Sequence, residues 1–151
     1  MAKREATHAR PAHPPLTTAD YETLAAFRHA LRQFLDFSEH QARAAGLTPR
    51  QHQALLQIKG TPPDAAFTVG DLAARLLIRH HSAVELADRL AEAGLIERSQ
   101  DSTDRRRVNL RLTAAAEDRL HALSAIHLEE LHRLRPALTA LLGRLPPDGA
   151  G

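Results

Sequence analysis

The stretch that decides the fold is LIERSQDSTDRRRVNLRLT, residues 95–113. It predicts a short strand over Leu95–Arg98, a polar loop over Ser99–Arg106 and a second strand over Arg107–Leu112. In the second strand Val and Leu alternate with Arg and Asn, so we expect the apolar residues on a buried face and the arginines and the asparagine on the solvent face. Three arginines stand together at residues 105–107. The stretch therefore predicts a β-hairpin with a cationic tip.

Composition narrows the class of protein. The 151 residues are enough for one domain, and their apolar content comes mainly from Leu and Ala, which favours helices over sheets. The absence of cysteine excludes disulfides, thiolate metal sites and a thiol-based redox switch. There is no apolar run of transmembrane length and no signal-peptide core, so we expect no membrane segment and a cytoplasmic location. From Arg98 to Arg111 the sequence contains five arginines but only two aspartates. This excess of positive charge indicates a polyanionic partner, and the alternative is a solvated charged loop.

Helix signals surround the hairpin on both sides. Thr48 and Thr68 are followed three residues later by Gln51 and Asp71, a spacing typical of capping boxes at helix starts. Six helices are predicted, over residues 17 or 18 to about 45, 49 to about 59, 68 to about 77, 81–93, 113 to about 135, and 137–145. In the second helix we expect Leu55, Leu56 and Ile58 to face inward. The last helix follows Pro136.

The third and fourth predicted helices form a helix–turn–helix. The inward face of the fourth follows the i, i+3, i+4, i+7 pattern, with Ala83, Leu86, Ala87 and Leu90. Ser82, Glu85 and Arg89 fall on the opposite side. Two short helices followed by an arginine-tipped hairpin are typical of a winged helix–turn–helix that binds DNA. The first helix is apolar on more than one face, which predicts burial against a second molecule.

The order of these elements resembles the MarR (multiple antibiotic resistance regulator) family of bacterial transcription factors. Four segments carry the resemblance over about residues 18–145: LTPRQHQALLQI (47–58), TVGDLAARLLI (68–78), ELADRLAEAGLIER (85–98) and DSTDRRRVNLRLT (101–113). It implies a mainly α fold with a small β-hairpin, in which N- and C-terminal helices dimerise. It also implies a sequence-specific regulator, in most relatives a repressor, that binds a pseudo-palindromic operator in double-stranded DNA as a homodimer.

Composition at the two ends and the resemblance between them divide the chain into five parts. These are a disordered tail (1–16), a first dimerisation segment (17–45), a DNA-binding lobe (47–112), a second dimerisation segment (113–145) and a C-terminal tail (146–151).

The resemblance also assigns residues to DNA. The expected contacts are Thr68 at the start of the third helix, His80, His81, Ser82, Glu85 and Arg89 on the fourth, and Arg105, Arg106 and Arg107 on the wing. Arg106 matches a wing arginine suited to a narrow minor groove, with Asp104 orienting the wing. Several alternatives stay open. His80 and His81 either contact phosphate or cap the helix, and Arg105 and Arg107 either contact the DNA backbone or are solvated. Glu85 either accepts from a cytosine amino group or pairs with Arg89, and Arg89 either reaches DNA or pairs with a wing aspartate.

Relatives bind small aromatic or phenolic acids between the dimerisation helices and the lobe, so the resemblance implies such an effector. Candidate lining residues are Phe34, Phe37, His40, His52 and Arg119. We expect no cofactor and no metal site, because His121, His127 and His132 are spaced by six and five rather than four. No nucleophile–base arrangement is present, so we expect no enzyme. The alternatives are a winged helix that binds protein and a metal-responsive regulator.

Overall fold

The computed structural model describes residues 15–145, which form five helices and one two-stranded antiparallel sheet. The elements are α1 (Thr18–Ala44), α2 (Pro49–Lys59), α3 (Val69–Leu76), α4 (His80–Glu92), β1 (Ile96–Gln100), β2 (Val108–Leu112) and α5 (Ala114–Leu142). The predicted mainly helical winged helix fold is confirmed. Except for residues 15–16, the two predicted tails lie outside the described residues. None of the helices within 15–145 is long and apolar enough to cross a membrane.

Threonines set the starts of four helices. Thr17, Thr48 and Thr68 accept from the backbone amide three residues on, at 3.3, 3.2 and 3.2 Å, and the side chains of Asp20, Gln51 and Asp71 accept from the threonine amides in return. Thr113 caps α5 through the amide of Ala116. These boxes satisfy backbone donors that the first turn of a helix leaves free. The predicted starts of α1, α2, α3 and α5 are therefore confirmed.

The core lies inside a lobe made of α2, α3, α4, β1 and β2, closed by the start of α5. The largest fully buried side chains are Leu55, Leu72, Leu90 and Leu110. All four predicted inward residues of α4 are buried. The inward placement of Leu56 was wrong, since its side chain is 45% exposed. Helix α2 buries one stripe, formed by Ala54, Leu55 and Ile58, and Leu56 lies outside it.

The hairpin, which we call the wing (residues 96–112), is one or two residues offset from its predicted limits. Ile96 pairs with Leu112 and Arg98 with Leu110. The segment before α3 extends the sheet, because the Leu110 amide donates to the Phe67 carbonyl at 2.8 Å. Asn109 was expected on the solvent face, and this was wrong. It lies beside Thr68, is half-buried, and its Oδ1 is buried without a hydrogen-bond partner.

The long helices α1 and α5 pack against each other and form a frame beside the lobe. Helix α5 continues through Pro136, so the prediction of a separate last helix over 137–145 was wrong. A proline in a helix removes one amide donor and crowds the carbonyl four residues earlier. Pro136 is exposed, so water can solvate the carbonyl that the missing amide leaves free, and the helix continues.

Candidate nucleic-acid interface

The outer face of α4 is exposed at its N-terminal end. His80, His81, Glu85 and Arg89 are exposed and Ser82 is half-buried, as expected for residues opposite the buried stripe. Among the described residues Glu85 and Arg89 form no ion pair with each other. Both side chains line an open groove of about 580 Å³ between this face and the start of α2. Polar groups of both signs are thus available to a ligand in this groove.

The turn at the wing tip is organised by Asp101. Its Oδ1 accepts from the Thr103 amide at 2.8 Å, the Thr103 hydroxyl at 2.6 Å and the Asp104 amide at 3.2 Å. These hydrogen bonds hold the pKa of Asp101 at about 2. Sequence reasoning missed this residue, although an Asp followed two residues later by Thr is a local signal for such a turn.

Asp104 orders the next part of the tip. Its Oδ1 accepts from the Arg106 amide at 3.0 Å, and its carbonyl accepts from the Arg107 amide at 2.9 Å. Arg105, Arg106 and Arg107 are exposed, and none of the three forms an ion pair within residues 15–145. The tip therefore presents three guanidinium groups from an ordered backbone.

The start of α3 lies near the wing. Hydrogen bonds from the amide and hydroxyl of Thr68 lower the pKa of Asp71, and attraction by Arg107 and Arg75 lowers it further. Arg107 of the wing therefore lies within electrostatic reach of the first turn of α3. The predicted contact region at Thr68 and the cationic tip share one side of the lobe.

An ion pair ties the wing to α4. The Arg98 guanidinium on β1 lies 2.6 Å from the Asp88 carboxylate. Within the described residues Arg89 pairs with no wing aspartate, so that alternative was wrong. The neighbouring Asp88 makes the link instead. Because both partners are partly shielded from water, the pair fixes the angle of the wing better than a fully exposed pair would.

Three of the five predicted effector residues meet where α1, α2 and α5 join. Phe34 and Phe37 approach the ring of His127 edge-on, with centroids at 6.0 and 5.8 Å, and the His52 ring lies 4.8 Å from it. We call Phe34, Phe37, His52 and His127 the aromatic joint. His40 and Arg119 are exposed and lie outside it. His40 Nδ1 contacts the Asp36 carbonyl at 2.7 Å.

His127 is buried and its two ring nitrogens have different partners. Nδ1 lies 2.7 Å from the Leu123 carbonyl, which can only accept, so Nδ1 carries a proton. Nε2 lies 2.7 Å from the Ser38 hydroxyl, which can donate or accept. Sequence reasoning considered His127 only as a metal ligand. Its spacing of seven and four from the buried Leu120 and Leu123 was the available signal for burial.

His52 is only 4% exposed. Burial, with a smaller contribution from repulsion by His127, lowers its pKa from 6.5 to about 4. The His52 ring is therefore uncharged near neutral pH where α2 meets the frame. Within residues 15–145 no group of three or more His, Asp or Glu side chains could hold a metal ion.

A helix–turn–helix followed by an ordered, arginine-tipped hairpin defines a winged helix–turn–helix protein. Residues 45–107, which run from the end of α1 to the wing tip, match the sequence model of the MarR family. This segment is therefore similar to the MarR family, in agreement with the resemblance drawn from the sequence motifs. A comparison with the sequences of curated proteins finds no significant match.

Solved structures extend the likeness beyond this segment. AbsC of Streptomyces coelicolor, a MarR family transcriptional regulator, superposes with a TM-score of 0.68 at 19% identity over 90% of this chain and 87% of its own. MepR of Staphylococcus aureus, a regulator of the multidrug efflux pump MepA, superposes with a TM-score of 0.67 at 22% identity over 83% of this chain and 98% of its own. The F27L variant of MepR, bound to an oligodeoxyribonucleotide, superposes with a TM-score of 0.61 at 22% identity over 88% of each chain. At these identities the structures show a shared fold.

Proposed function

We propose that this protein is a sequence-specific transcriptional regulator that represses by binding a pseudo-palindromic operator as a homodimer. The observation that carries the proposal is the wing tip: three exposed arginines on a hydrogen-bonded turn, within electrostatic reach of the first turn of α3. A preordered set of cations suits a polyanion, because little conformational entropy is lost on binding. The oligonucleotide-bound MepR variant of the same fold supports DNA as that polyanion. The proposal involves no catalytic step and keeps the cytoplasmic location expected from the sequence.

Each predicted DNA contact has a role in this proposal. The start of α4, with His80, His81, Ser82 and Glu85, enters the major groove, and Arg89 follows one turn later. Arg106 enters the minor groove, and its neighbours Arg105 and Arg107 meet phosphates.

The first turn of α3 supplies phosphate contacts through its backbone. The capping box already engages the amides of Thr68 and Asp71. The amides of Val69 and Gly70 have no partner among the hydrogen bonds of the described residues, so they are the donors left for a phosphate.

The apolar surface of the frame supports the homodimer. Large exposed apolar side chains on α1 and α5 include Tyr21, Leu24, Leu31, Leu35, Leu128 and Leu131. Such a surface is unfavourable in water, and a second copy of the chain would cover it. A two-fold dimer places its two α4 helices in successive major grooves, about 34 Å apart. We expect Leu31→Glu to convert the dimer to a monomer in analytical ultracentrifugation.

We also propose that a small aromatic or phenolic effector releases DNA by acting at the aromatic joint. The joint supports this because Phe34, Phe37 and His52 form an aromatic lining around His127. An effector releases DNA only if it binds more tightly to the conformation that cannot bind DNA.

The test is a fluorescence anisotropy titration with DNA flanking the gene and with scrambled DNA, each at two salt concentrations. Arg106→Ala is compared with Arg111→Ala, which removes the same charge from the base of the same hairpin. We expect the wild-type protein to prefer the flanking DNA, and Arg106→Ala to weaken binding by about 1–3 kcal/mol. Arg111→Ala should weaken binding less than Arg106→Ala, since residue 111 lies at the base of the hairpin and is not among the predicted DNA contacts. Absence of binding to either DNA at low salt would overturn the proposal.

A further inference from the structure

Three of the five helices within residues 15–145 end in the same left-handed turn. In each, the residue with positive φ donates to a carbonyl three residues back, and the next residue donates to a carbonyl five back. Gly46 (φ 75°) ends α1 and Gly94 (φ 69°) ends α4 in this way. The third case ends α3 at Leu77, whose φ is 53°. This hydrogen-bond pattern is the Schellman motif, which strongly favours glycine at the left-handed position.

Leu77 is the exception among these three positions, and the fold does not require a leucine there. Within residues 15–145 it is the only residue other than glycine with positive φ. A side chain in this conformation crowds its own backbone, so leucine is less favourable than glycine there. Leu77 gains no packing in return, because it is 92% exposed. The residue after it, Ile78, makes the apolar contact with the core, as Leu47 and Leu95 do after Gly46 and Gly94.

The position of Leu77 points to DNA. It lies in the turn of the helix–turn–helix, three residues before the first residue of α4. From Leu72 to Val84 the chain has no acidic residue but contains Arg75, Arg79 and two histidines, all of them exposed. An apolar side chain held outward in a cationic turn suits a ligand that is anionic but carries apolar groups. In the major groove the apolar group of DNA is the C5-methyl of thymine.

We propose that Leu77 is a specificity-determining residue whose side chain packs on a thymine methyl group beside the start of α4. The inference rests on the proposed function, since it needs α4 in the major groove. Burying one methyl group contributes about 0.8 kcal/mol, or roughly fourfold in affinity. Leu77 would therefore favour thymine at one position in each half-site.

The experiment uses the full chain and a duplex selected by the wild-type protein from a random oligonucleotide pool. The duplex is prepared with thymine and again with deoxyuridine, which lacks only the C5-methyl. Leu77→Gly removes the side chain at a backbone conformation that glycine prefers, and Leu77→Ala removes the branch without adding backbone freedom. Leu77→Met keeps the apolar reach and serves as the matched control. Melting temperatures are measured for all four proteins.

We expect Leu77→Gly to melt at the same temperature as wild type or higher, yet to bind the thymine duplex at least fourfold more weakly. Leu77→Ala should weaken binding similarly, and Leu77→Met should stay close to wild type. Replacing thymine by deoxyuridine should weaken the wild type and leave Leu77→Gly unchanged. Equal affinities of Leu77→Gly and wild type, or an equal loss on both duplexes, would overturn the inference. Failure of the wild type to select any duplex would overturn the proposed function instead.

Discussion

Burial of His52 makes the stability of this protein depend on pH between about 6.5 and 4. The ring is 4% exposed and lies 4.8 Å from the ring of His127 on α5, beside Phe34 and Phe37 on α1. Within residues 15–145 no carboxylate forms an ion pair with His52. Nothing at the aromatic joint therefore compensates a positive charge on this ring.

The sign of this pH dependence follows from the direction of the pKa shift of His52. The folded protein lowers the pKa of His52 from 6.5 to about 4, so unfolding releases a ring that binds a proton more readily. The stabilisation is complete well above pH 6.5 and is lost as the pH falls from 6.5 toward 4. With these two pKa values, the loss between pH 7.5 and pH 5.0 is about 2 kcal/mol.

The assay is urea unfolding at pH 7.5 and pH 5.0, at one protein concentration so that any dimerisation contributes equally. His52→Gln, which cannot be protonated in this range, is the matched control. Wild type should lose about 2 kcal/mol more than the control between the two pH values. Equal losses in the two proteins would refute the reasoning. Because the control can be destabilised by itself, NMR titration of the wild-type ring gives a second test: its signals should stay those of a neutral imidazole down to about pH 5.

Three further outcomes test the wing and the frame. Asp88→Asn should cost less than about 1 kcal/mol in urea unfolding, since the pair with Arg98 is partly exposed, yet should speed amide exchange in β1; an unchanged exchange rate would count against the link. Asp101→Asn should reduce protection of the Thr103 amide in NMR exchange and weaken DNA binding, whereas an ordered tip in this variant would contradict the role of the carboxylate. Pro136→Ala should raise the free energy of unfolding by about 1–3 kcal/mol, because it restores an amide donor within α5, and a loss of stability would contradict this.

Much of the lobe follows from signals within a few residues of one another. Thr48 with Gln51 and Thr68 with Asp71 fix helix starts, and Gly94 fixes an end, because each satisfies backbone groups locally. The buried stripe of α4 follows from the i, i+3, i+4, i+7 spacing of its apolar residues. For the same reason the prediction of the helix–turn–helix and of a wing behind it needed no knowledge of tertiary contacts.

The errors and omissions share a different cause. Asn109 is half-buried because the segment around Phe67 and Thr68 joins the sheet, and that segment is far from it in sequence. Arg98 finds Asp88 only after the wing folds back on α4. Pro136 is a strong local signal for a break, but the helix persists across it. In each case, a contact or a solvent exposure that the local pattern cannot encode decides the outcome.

The candidate interface shows the same division between features that local sequence signals predict and features that depend on tertiary contacts. The arginines of the tip were predictable as a charged run, but the carboxylate that orders their backbone, Asp101, was overlooked. Of the effector residues, Phe34, Phe37 and His52 come together because α1 and α2 are both held by α5. His127 completes that group and was not foreseen, since its partner Ser38 lies 89 residues away.

The separation of the apolar frame from the cationic wing has a genetic consequence. The frame residues that we assign to assembly and the wing residues that we assign to DNA lie in different parts of the chain, so a variant can lose one property and keep the other. In a cell that makes both alleles, a chain with a defective wing and an intact frame would pair with wild-type chains and inactivate them. Such wing alleles should be dominant, whereas alleles that abolish pairing in the frame should be recessive.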